Sequence, residues 1–205
     1  RLLIDCGPDF KEQILNEPFG KLDALLLTHE HYDHVGGIDD LRAFGAFGDV
    51  EIYANQLTAE SLQNRIPYCF TPKKYPGVPA LHLNVLEDDR PFFVGKIEIM
   101  PVRVMHYMLP IFGYRIENFA YLTDVLTIPE EEFSKLENLD VLVISALRHQ
   151  PHISHQTLAQ ALRVIKRIAP KHAYIVHMSH RLGLHAEEDA KLPLGVNLAY
   201  DGLEI

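Results

Sequence analysis

The chain has 205 residues, of which 47% are hydrophobic and 23% charged, and its formal net charge is −9. Its apolar runs are too short for a membrane span of about 20 residues, and its acidic balance argues against nucleic acid as a partner. The two cysteines, Cys6 and Cys69, form no CxxC pair, which excludes a four-cysteine zinc site and favours a reducing cytoplasm. We therefore expect one globular domain over residues 1–205 that contacts no membrane.

Strands and helices alternate along the first part of the chain. Apolar runs predict strands over Leu2–Cys6, Leu22–Thr28 and Glu51–Ala54. Proline position, first-turn acids and periodicity predict helices over Pro8–Glu17, Ile38–Phe47 and Leu57–Arg65. Residues 66–80 contain four prolines and one glycine. We expect a loop there, because proline disrupts both helices and central strands.

The pattern then changes to strands. Alternation and tight turns predict four of them, over Leu81–Leu86, Ile97–His106, Gly113–Ile116 and Ala120–Thr123. Later apolar runs predict three more, over Asp140–Ala146, Ala173–Val176 and Asn197–Tyr200. Helices are predicted over Pro129–Leu136 and Gln156–Ile168. This order of elements is typical of an α/β protein with mixed sheets covered by helices.

The six residues 29–34 read His-Glu-His-Tyr-Asp-His. They follow the predicted strand Leu22–Thr28 and precede Gly36 and Gly37, so a turn can aim their side chains at one point. Imidazoles and a carboxylate are the usual ligands of zinc, manganese or iron. The alternative is a solvated loop that happens to be rich in histidine, and the spacing His-x-His-x-Asp-His is far more specific than that.

Three later residues, His106, Asp124 and His177, also follow apolar strands. The ends of strands are where open sheets gather their sites. Taken alone, each histidine could be a hydrogen-bonded structural residue, and the aspartate could cap a turn. Taken with the first cluster they supply a two-metal site in which Asp124 bridges. One ion would have His29, His31 and His106 as ligands, and the other Asp33, His34 and His177.

These residues, in this order and at this spacing, resemble the metallo-β-lactamase superfamily over the whole chain. Residues Leu3–Gly7 are also similar to the early strand and turn of that family. The resemblance implies a four-layer αββα sandwich with the metals at one edge. Family members usually begin with two or three further strands, so we expect an N-terminal piece to be absent here. A sheet edge left uncovered in this way would favour a homodimer.

Within the superfamily the chain most resembles the phosphodiesterase branch, which contains tRNase Z and the phosphodiesterase of the carbon–phosphorus lyase pathway. The segment His155-Gln156-Thr157 is similar to the His-Ser-Thr segment of that branch, whose histidine assists the leaving group. The ending Ala199–Gly202 is similar too. Tyr32 replaces a usual glycine and no long tRNA-binding arm is visible, which argues against tRNA. The resemblance implies hydrolysis of a small or cyclic phosphodiester by a metal-bridging hydroxide.

Other functions and other site residues are also considered. A thioester or lactone hydrolase would share every ligand, and a non-enzymatic metal carrier is disfavoured because no ligand is lost. Asp33 counts among the catalytic residues as well as the ligands, together with His155 as proton donor. Arg42 and His180 are candidate substrate contacts, with a plain surface role as the alternative. The expected cofactors are two divalent ions, zinc or manganese, with iron as a further candidate.

Overall fold

The computed structural model describes residues 1–71 and 76–205 and holds the strands in two sheets. One sheet lies in the unit Arg1–Asp88 and the other in the unit Asp89–Ile205. Both units combine strands with helices, which confirms the predicted α/β class. Among the described residues, no helix is both long and apolar enough to cross a membrane.

The sheet of the first unit is entirely parallel, and its strands lie in chain order. These strands are β1 (Leu2–Ile4), β2 (Ala24–Leu26), β3 (Val50–Asn55) and β4 (Leu81–Leu86). Parallel strands require crossover connections, which here contain α1 (Phe10–Ile14), α2 (Tyr32–Val35), a 3-10 helix (Ile38–Phe47), α3 (Gln56–Arg65) and a 3-10 turn (Pro67–Cys69). All three residues of β2 are fully buried, which explains their unbroken apolar sequence.

The sheet of the second unit has seven strands in the order β11-β10-β9-β8-β7-β6-β5. They are β5 (Phe92–Val94), β6 (Ile97–His106), β7 (Leu109–Ile116), β8 (Phe119–Leu122), β9 (Val141–Ser145), β10 (His172–Val176) and β11 (Val196–Leu198). Strands β5 to β8 pair antiparallel, and β8 to β11 pair parallel. The helices of this unit are a 3-10 helix (Glu130–Leu136), α4 (Leu158–Ile168) and α5 (His185–Asp189).

Helix α4 is the main helix of the second unit, and it begins directly after the segment that carries His155. Its first turn is fixed by a capping box in which Thr157 and Gln160 bond each other's backbone. Its buried residues belong to one hydrophobic core with residues of β9 and β10, among them Ile144 and Ile175. The helix therefore holds its N-terminal end, and the preceding segment, at a fixed place on the sheet.

Several bounds differ from those that the sequence predicts. The helix expected over Pro8–Glu17 is shorter, Phe10–Ile14, and Ile38–Phe47 is wound as a 3-10 helix. The strand expected from Gly113 begins at Leu109, because it pairs along β6 as far as His106. Strand β5, which contains Phe93 and Val94, is not among the predicted strands, and the turn after it lies at Gly95 with a φ of 60°. In the expected loop 66–80, residues 67–69 form a 3-10 turn, and residues 72–75 lie outside the described residues.

Candidate metal centre

The first group of candidate ligands lies where β2 ends and α2 begins. His29 and His34 are buried, whereas His31 and Asp33 are exposed. The Nε2 atom of His29 is 3.1 Å from Nδ1 of His31, and Nε2 of His34 is 3.4 Å from Oδ2 of Asp33. The structure therefore brings the four predicted donors of this unit together in two close pairs.

The hydrogen bonds of Thr28 fix the orientation of His29. The Thr28 hydroxyl donates to Oδ2 of Asp5 at 2.8 Å, and it lies 3.0 Å from Nδ1 of His29. A hydroxyl has one proton, so Thr28 must accept the second bond from the Nδ1–H of His29. The lone pair of His29 is then on Nε2, the nitrogen that faces His31. This is the tautomer that a metal ligand needs.

Asp5 is a further candidate site residue that the sequence alone did not indicate. Its Oδ2 accepts from Nδ1 of His34 at 2.7 Å, and its Oδ1 accepts from the backbone N–H of Thr28 at 2.8 Å. Such carboxylates orient a metal-binding histidine and make it a stronger ligand. Asp5 has a φ of 59°, a left-handed conformation that is uncommon outside glycine. The available signal was its place at the end of β1, beside β2 in a parallel pair.

Two glycines let the turn after β1 pack tightly against α2. A Cβ on Gly7 would lie 2.4 Å from the carbonyl oxygen of Asp33, and a Cβ on Gly37 would lie 2.2 Å from that of Gly7. No side chain fits at either position. The backbone of Cys6 also bonds that of His34 at 2.7 Å and that of Gly37 at 2.9 Å. These contacts fix the helix that carries Asp33 and His34.

The second group of candidate ligands lies at one edge of the seven-stranded sheet. His106 ends β6, Asp124 follows β8 and His177 follows β10. These three strands run in the same direction, since β6 and β8 are both antiparallel to β7, and β8 and β10 are both parallel to β9. Their carboxyl ends therefore meet at one edge, as predicted.

Asp124 is the centre of this second group. Its Oδ2 lies 3.4 Å from Nε2 of His177, and its Oδ1 lies 3.4 Å from Nδ1 of His155. Nδ1 of His106 lies 3.1 Å from the backbone carbonyls of Asp124 and Ser154, which favours a proton on Nδ1 and the lone pair on Nε2. Asp124 and His177 have φ values of 52° and 56°. Such strain is stored at functional sites at about 1–3 kcal/mol per residue.

His155 lies inside this group, with its ring centroid 4.7 Å from that of His106 and 5.1 Å from that of His177. Burial lowers the pKa of His155 from 6.5 to about 4, although the carboxylate of Asp124 acts in the opposite direction. The imidazole is therefore neutral at pH 7. Its Nδ1 is buried and has no hydrogen-bond partner among the described residues. His155, His106 and Asp124 also offer three donor atoms within 4.8 Å of one another.

The donors of both units fit divalent metal ions. A tetrahedral zinc ion with bonds of 2.0–2.1 Å places neighbouring ligand atoms about 3.3 Å apart. The measured separations of 3.1 Å between His29 and His31, and of 3.4 Å between Asp124 and His177, are close to that value. Imidazole with carboxylate is also the donor set that zinc, iron and manganese share.

The two predicted substrate contacts, Arg42 and His180, both have exposed side chains. Arg42 belongs to the 3-10 helix Ile38–Phe47, forms an ion pair with Asp39 at 3.8 Å and borders a surface groove of about 590 Å³ with Phe19 and Phe44. His180 is exposed in the segment after β10. Their contact with substrate stays a prediction.

The chain belongs to the β-lactamase superfamily, because residues 1–178 match the β-lactamase superfamily domain. It is similar to a solved diphosphatase of the PhnP family, with 36% identity, a TM-score of 0.90, and coverage of 98% of this chain and 77% of that one. It is 43% identical over 205 residues to an octanoyltransferase of Porphyromonas gingivalis, which is 100% of this chain and 42% of that protein. A ribonuclease Z of Bacillus licheniformis is 27% identical over 158 residues, 69% of this chain and 49% of that protein.

These similarities confirm the fold and the branch. The chain has the metallo-β-lactamase fold, and its relatives include the PhnP-family and ribonuclease Z proteins of the phosphodiesterase branch. This superfamily consists of metal-dependent hydrolases, and the candidate His and Asp donors of this chain agree with that class. The chain spans about half the length of the curated relatives that it matches.

Proposed function

We propose that this chain is a two-metal phosphodiesterase that acts on a small or cyclic phosphodiester. The observation that carries the proposal is the group of donors around Asp124, whose carboxylate oxygens lie 3.4 Å from His155 and 3.4 Å from His177. A carboxylate with flanking imidazoles is suited to hold two metal ions. Such a pair of ions stabilises the attacking oxygen and the leaving oxygen in a displacement at phosphorus. The similarity to a PhnP-family diphosphatase, an enzyme that by its name acts at phosphorus, supports the same chemistry.

In this proposal the ligands of the two ions are those expected from the sequence. His29, His31 and His106 would hold one ion, Asp33, His34 and His177 would hold the other, and Asp124 would be a ligand of both. When bound, the ions lower the pKa of a water molecule and neutralise charge on the phosphoryl oxygens. The chain's own residues supply orientation. Asp5 holds the ring of His34, and the carbonyl oxygen of Ser154 holds the ring of His106.

His155 is the proposed proton donor. Hydrolysis breaks the bond between phosphorus and the leaving oxygen, and that oxygen must take a proton to depart as an alcohol. The imidazole is neutral at pH 7 in the metal-free chain. An anionic phosphodiester favours the protonated form of a neighbouring histidine. Binding of substrate would therefore raise the pKa of His155 toward the range in which it can donate.

A second candidate is hydrolysis of an acyl ester or thioester. Its support is the octanoyltransferase of Porphyromonas gingivalis, which is 43% identical to this chain. That protein carries the name of an acyl-group reaction, and this chain matches 42% of its length. The same metal donors would serve a carbonyl oxygen as well as a phosphoryl oxygen. The two candidates differ in substrate and have the same site.

Substrate choice separates the candidates. Metal-stripped protein is supplied with zinc or manganese and tested on bis-(p-nitrophenyl) phosphate, on an octanoyl thioester and on a short single-stranded oligonucleotide. We expect hydrolysis of the phosphate diester and a much slower reaction with the thioester, because the proposed substrate is a phosphodiester. The oligonucleotide should also react slowly, since the net charge of −9 disfavours a polyanion. Cleavage of the thioester alone would overturn the phosphodiesterase proposal. Binding of metal without any hydrolysis would favour a carrier.

Matched variants test whether Asp124 carries the reaction. Asp124→Asn should abolish hydrolysis, because an amide is a weaker metal ligand and cannot bridge as a carboxylate does. Asp140→Asn is the control, since Asp140 lies in the same unit and pairs with Lys171 at 2.7 Å on the surface. It should retain full activity. Equal activity of the two variants would contradict the proposed role of Asp124.

A further inference from the structure

Three large apolar side chains are exposed beside the histidines of the second unit. Tyr107 is 52% exposed and Met108 is 75% exposed, and they form the turn that directly follows His106. Ile153 is 68% exposed and precedes His155 by two residues. Each is within two residues of a histidine of the proposed site. Exposed apolar groups that gather in this way mark binding surfaces.

The two segments that carry these residues are held together. Nδ1 of His106 lies 3.1 Å from the carbonyl oxygen of Ser154, and the rings of His106 and His155 have their centroids 4.7 Å apart. Neighbouring Cα atoms are about 3.8 Å apart, so the turn and Ile153 border the same pair of histidines. Tyr107, Met108 and Ile153 therefore all belong to segments that border His106 and His155, and we call these three residues the apolar rim.

The backbone at Tyr107 supports a functional reading. Tyr107 has a φ of 56° in a two-residue turn between β6 and β7. Glycine or asparagine is favoured at such a position, and a bulky aromatic residue is an outlier there. The Tyr107 ring is half exposed, so burial does not account for its presence. A strained and exposed aromatic residue beside a candidate ligand is typical of a residue retained for binding.

We propose that the apolar rim of Tyr107, Met108 and Ile153 is a subsite for an aromatic ring of the substrate, such as a nucleobase or an aryl group. This inference rests on the proposed phosphodiesterase function and adds the class of substrate. A tyrosine ring offers a stacking face, and a methionine sulfur makes favourable contacts with aromatic rings. The three side chains are uncharged, so they suit a neutral ring. The guanidinium of Arg148 donates hydrogen bonds to the carbonyl oxygens of Gln150 and Pro151, so these donors are already used within the loop.

Three phosphate monoesters separate the ring from the phosphate. Calorimetry on the zinc-loaded full chain measures the Kd of thymidine 5′-monophosphate, octyl phosphate and methyl phosphate. All three carry the same phosphate, and only the first carries an aromatic ring. We expect thymidine 5′-monophosphate to bind roughly tenfold more tightly than methyl phosphate, which corresponds to about 1.4 kcal/mol of apolar contact. Octyl phosphate should bind less tightly than the thymidine ester.

Variants of the apolar rim test whether these residues cause the tighter binding of thymidine 5′-monophosphate. The double change Met108→Ser with Ile153→Ser, and separately Tyr107→Asn, should weaken thymidine 5′-monophosphate and leave the Kd of methyl phosphate unchanged. Asparagine tolerates the positive φ of the turn, so Tyr107→Asn removes the ring without adding strain. The control is Leu194→Ser, a fully exposed apolar residue of the same unit, which should change nothing.

Three results would overturn the subsite. The first is equal Kd values for thymidine 5′-monophosphate and methyl phosphate in the unmodified chain. The second is a lower Kd for octyl phosphate than for thymidine 5′-monophosphate. The third is an equal rise in the Kd of all three ligands in the rim variants. The test is separate from that of the proposed function, because it measures binding. A chain that hydrolyses no phosphodiester defeats the function, whereas a chain that hydrolyses diesters without any ring preference defeats only the subsite.

Discussion

At the scale of single residues, the site depends on side chains that orient other side chains. Asp5 and Thr28 fix the ring of His34 and the tautomer of His29, and the carbonyl of Ser154 does the same for His106. An imidazole presents one lone pair, so a partner on its other nitrogen decides where that lone pair points. Residues that hold no metal can therefore control metal affinity.

The first prediction concerns Asp5. Asp5→Ala removes the acceptor 2.7 Å from Nδ1 of His34, and loss of such a partner usually weakens metal binding by about 10–100-fold. Competition with a chelator of known affinity measures the change. Asp9→Ala, an exposed aspartate of the same unit, is the control and should bind metal as the unmodified chain does. An unchanged metal affinity for Asp5→Ala would show that Asp5 has only a structural role.

The second prediction concerns the pH dependence of stability. Burial lowers the pKa of His155 from 6.5 to about 4, so the unfolded chain binds this proton more readily than the folded chain. The contribution of neutral His155 is complete above pH 6.5 and is lost as the pH falls toward 4. Denaturant unfolding of the metal-free chain measures this fall. The fall in the free energy of unfolding should be smaller in His155→Gln. It should be unchanged in the control His172→Gln, since His172 is an exposed histidine of the same unit. An equal fall in all three proteins would contradict the lowered pKa.

At the scale of elements, the ends of strands position the site. The long strands and helix α4 could be predicted from the sequence because apolar periodicity is a strong signal over ten residues. The rule that polar residues gather at strand ends located His106, Asp124 and His177 at one edge of the sheet. The ligand groups of the second unit followed from that rule without any knowledge of side-chain contacts.

Other elements could not be predicted, for physical reasons. Helices α2 and α5 have four and five residues, and β5 has three, so none is long enough to show a period. The role of Asp5 depends on the parallel pairing of β1 with β2, which is a contact between residues more than 20 positions apart. Local sequence does not encode such a pairing. The left-handed backbone at Asp5, Asp124 and His177 also runs against local preference, so local propensity does not predict it.

The third prediction concerns the start of helix α4. The side chain of Thr157 accepts a hydrogen bond from the backbone of Gln160, and removal of such a cap lowers stability by about 1 kcal/mol. Thr157→Ala should therefore lower the free energy of unfolding by about that amount and reduce turnover, since His155 lies two residues before the cap. Thr127→Ala, an exposed threonine of the same unit, is the control. Full turnover in Thr157→Ala would show that the helix start does not position His155.

At the scale of the whole molecule, the candidate ligands are divided between two units. Four lie within Arg1–Asp88 and three within Asp89–Ile205, with His155 beside the second group. The acidic net charge of −9 is in part balanced by divalent cations when they bind. Ligands that bind only the folded chain also stabilise it, so metal binding should raise the melting temperature. The proposed function thus links activity, stability and metal content in one molecule.

Metal content measured together with hydrolysis tests the central claim most directly. The full chain is stripped with a chelator, titrated with zinc or manganese, and followed by elemental analysis and by cleavage of bis-(p-nitrophenyl) phosphate. We predict two ions per chain, with hydrolysis absent from the stripped protein and restored as the second ion binds. Hydrolysis that persists at full rate without metal, or that is complete with one ion per chain, would contradict the two-metal account.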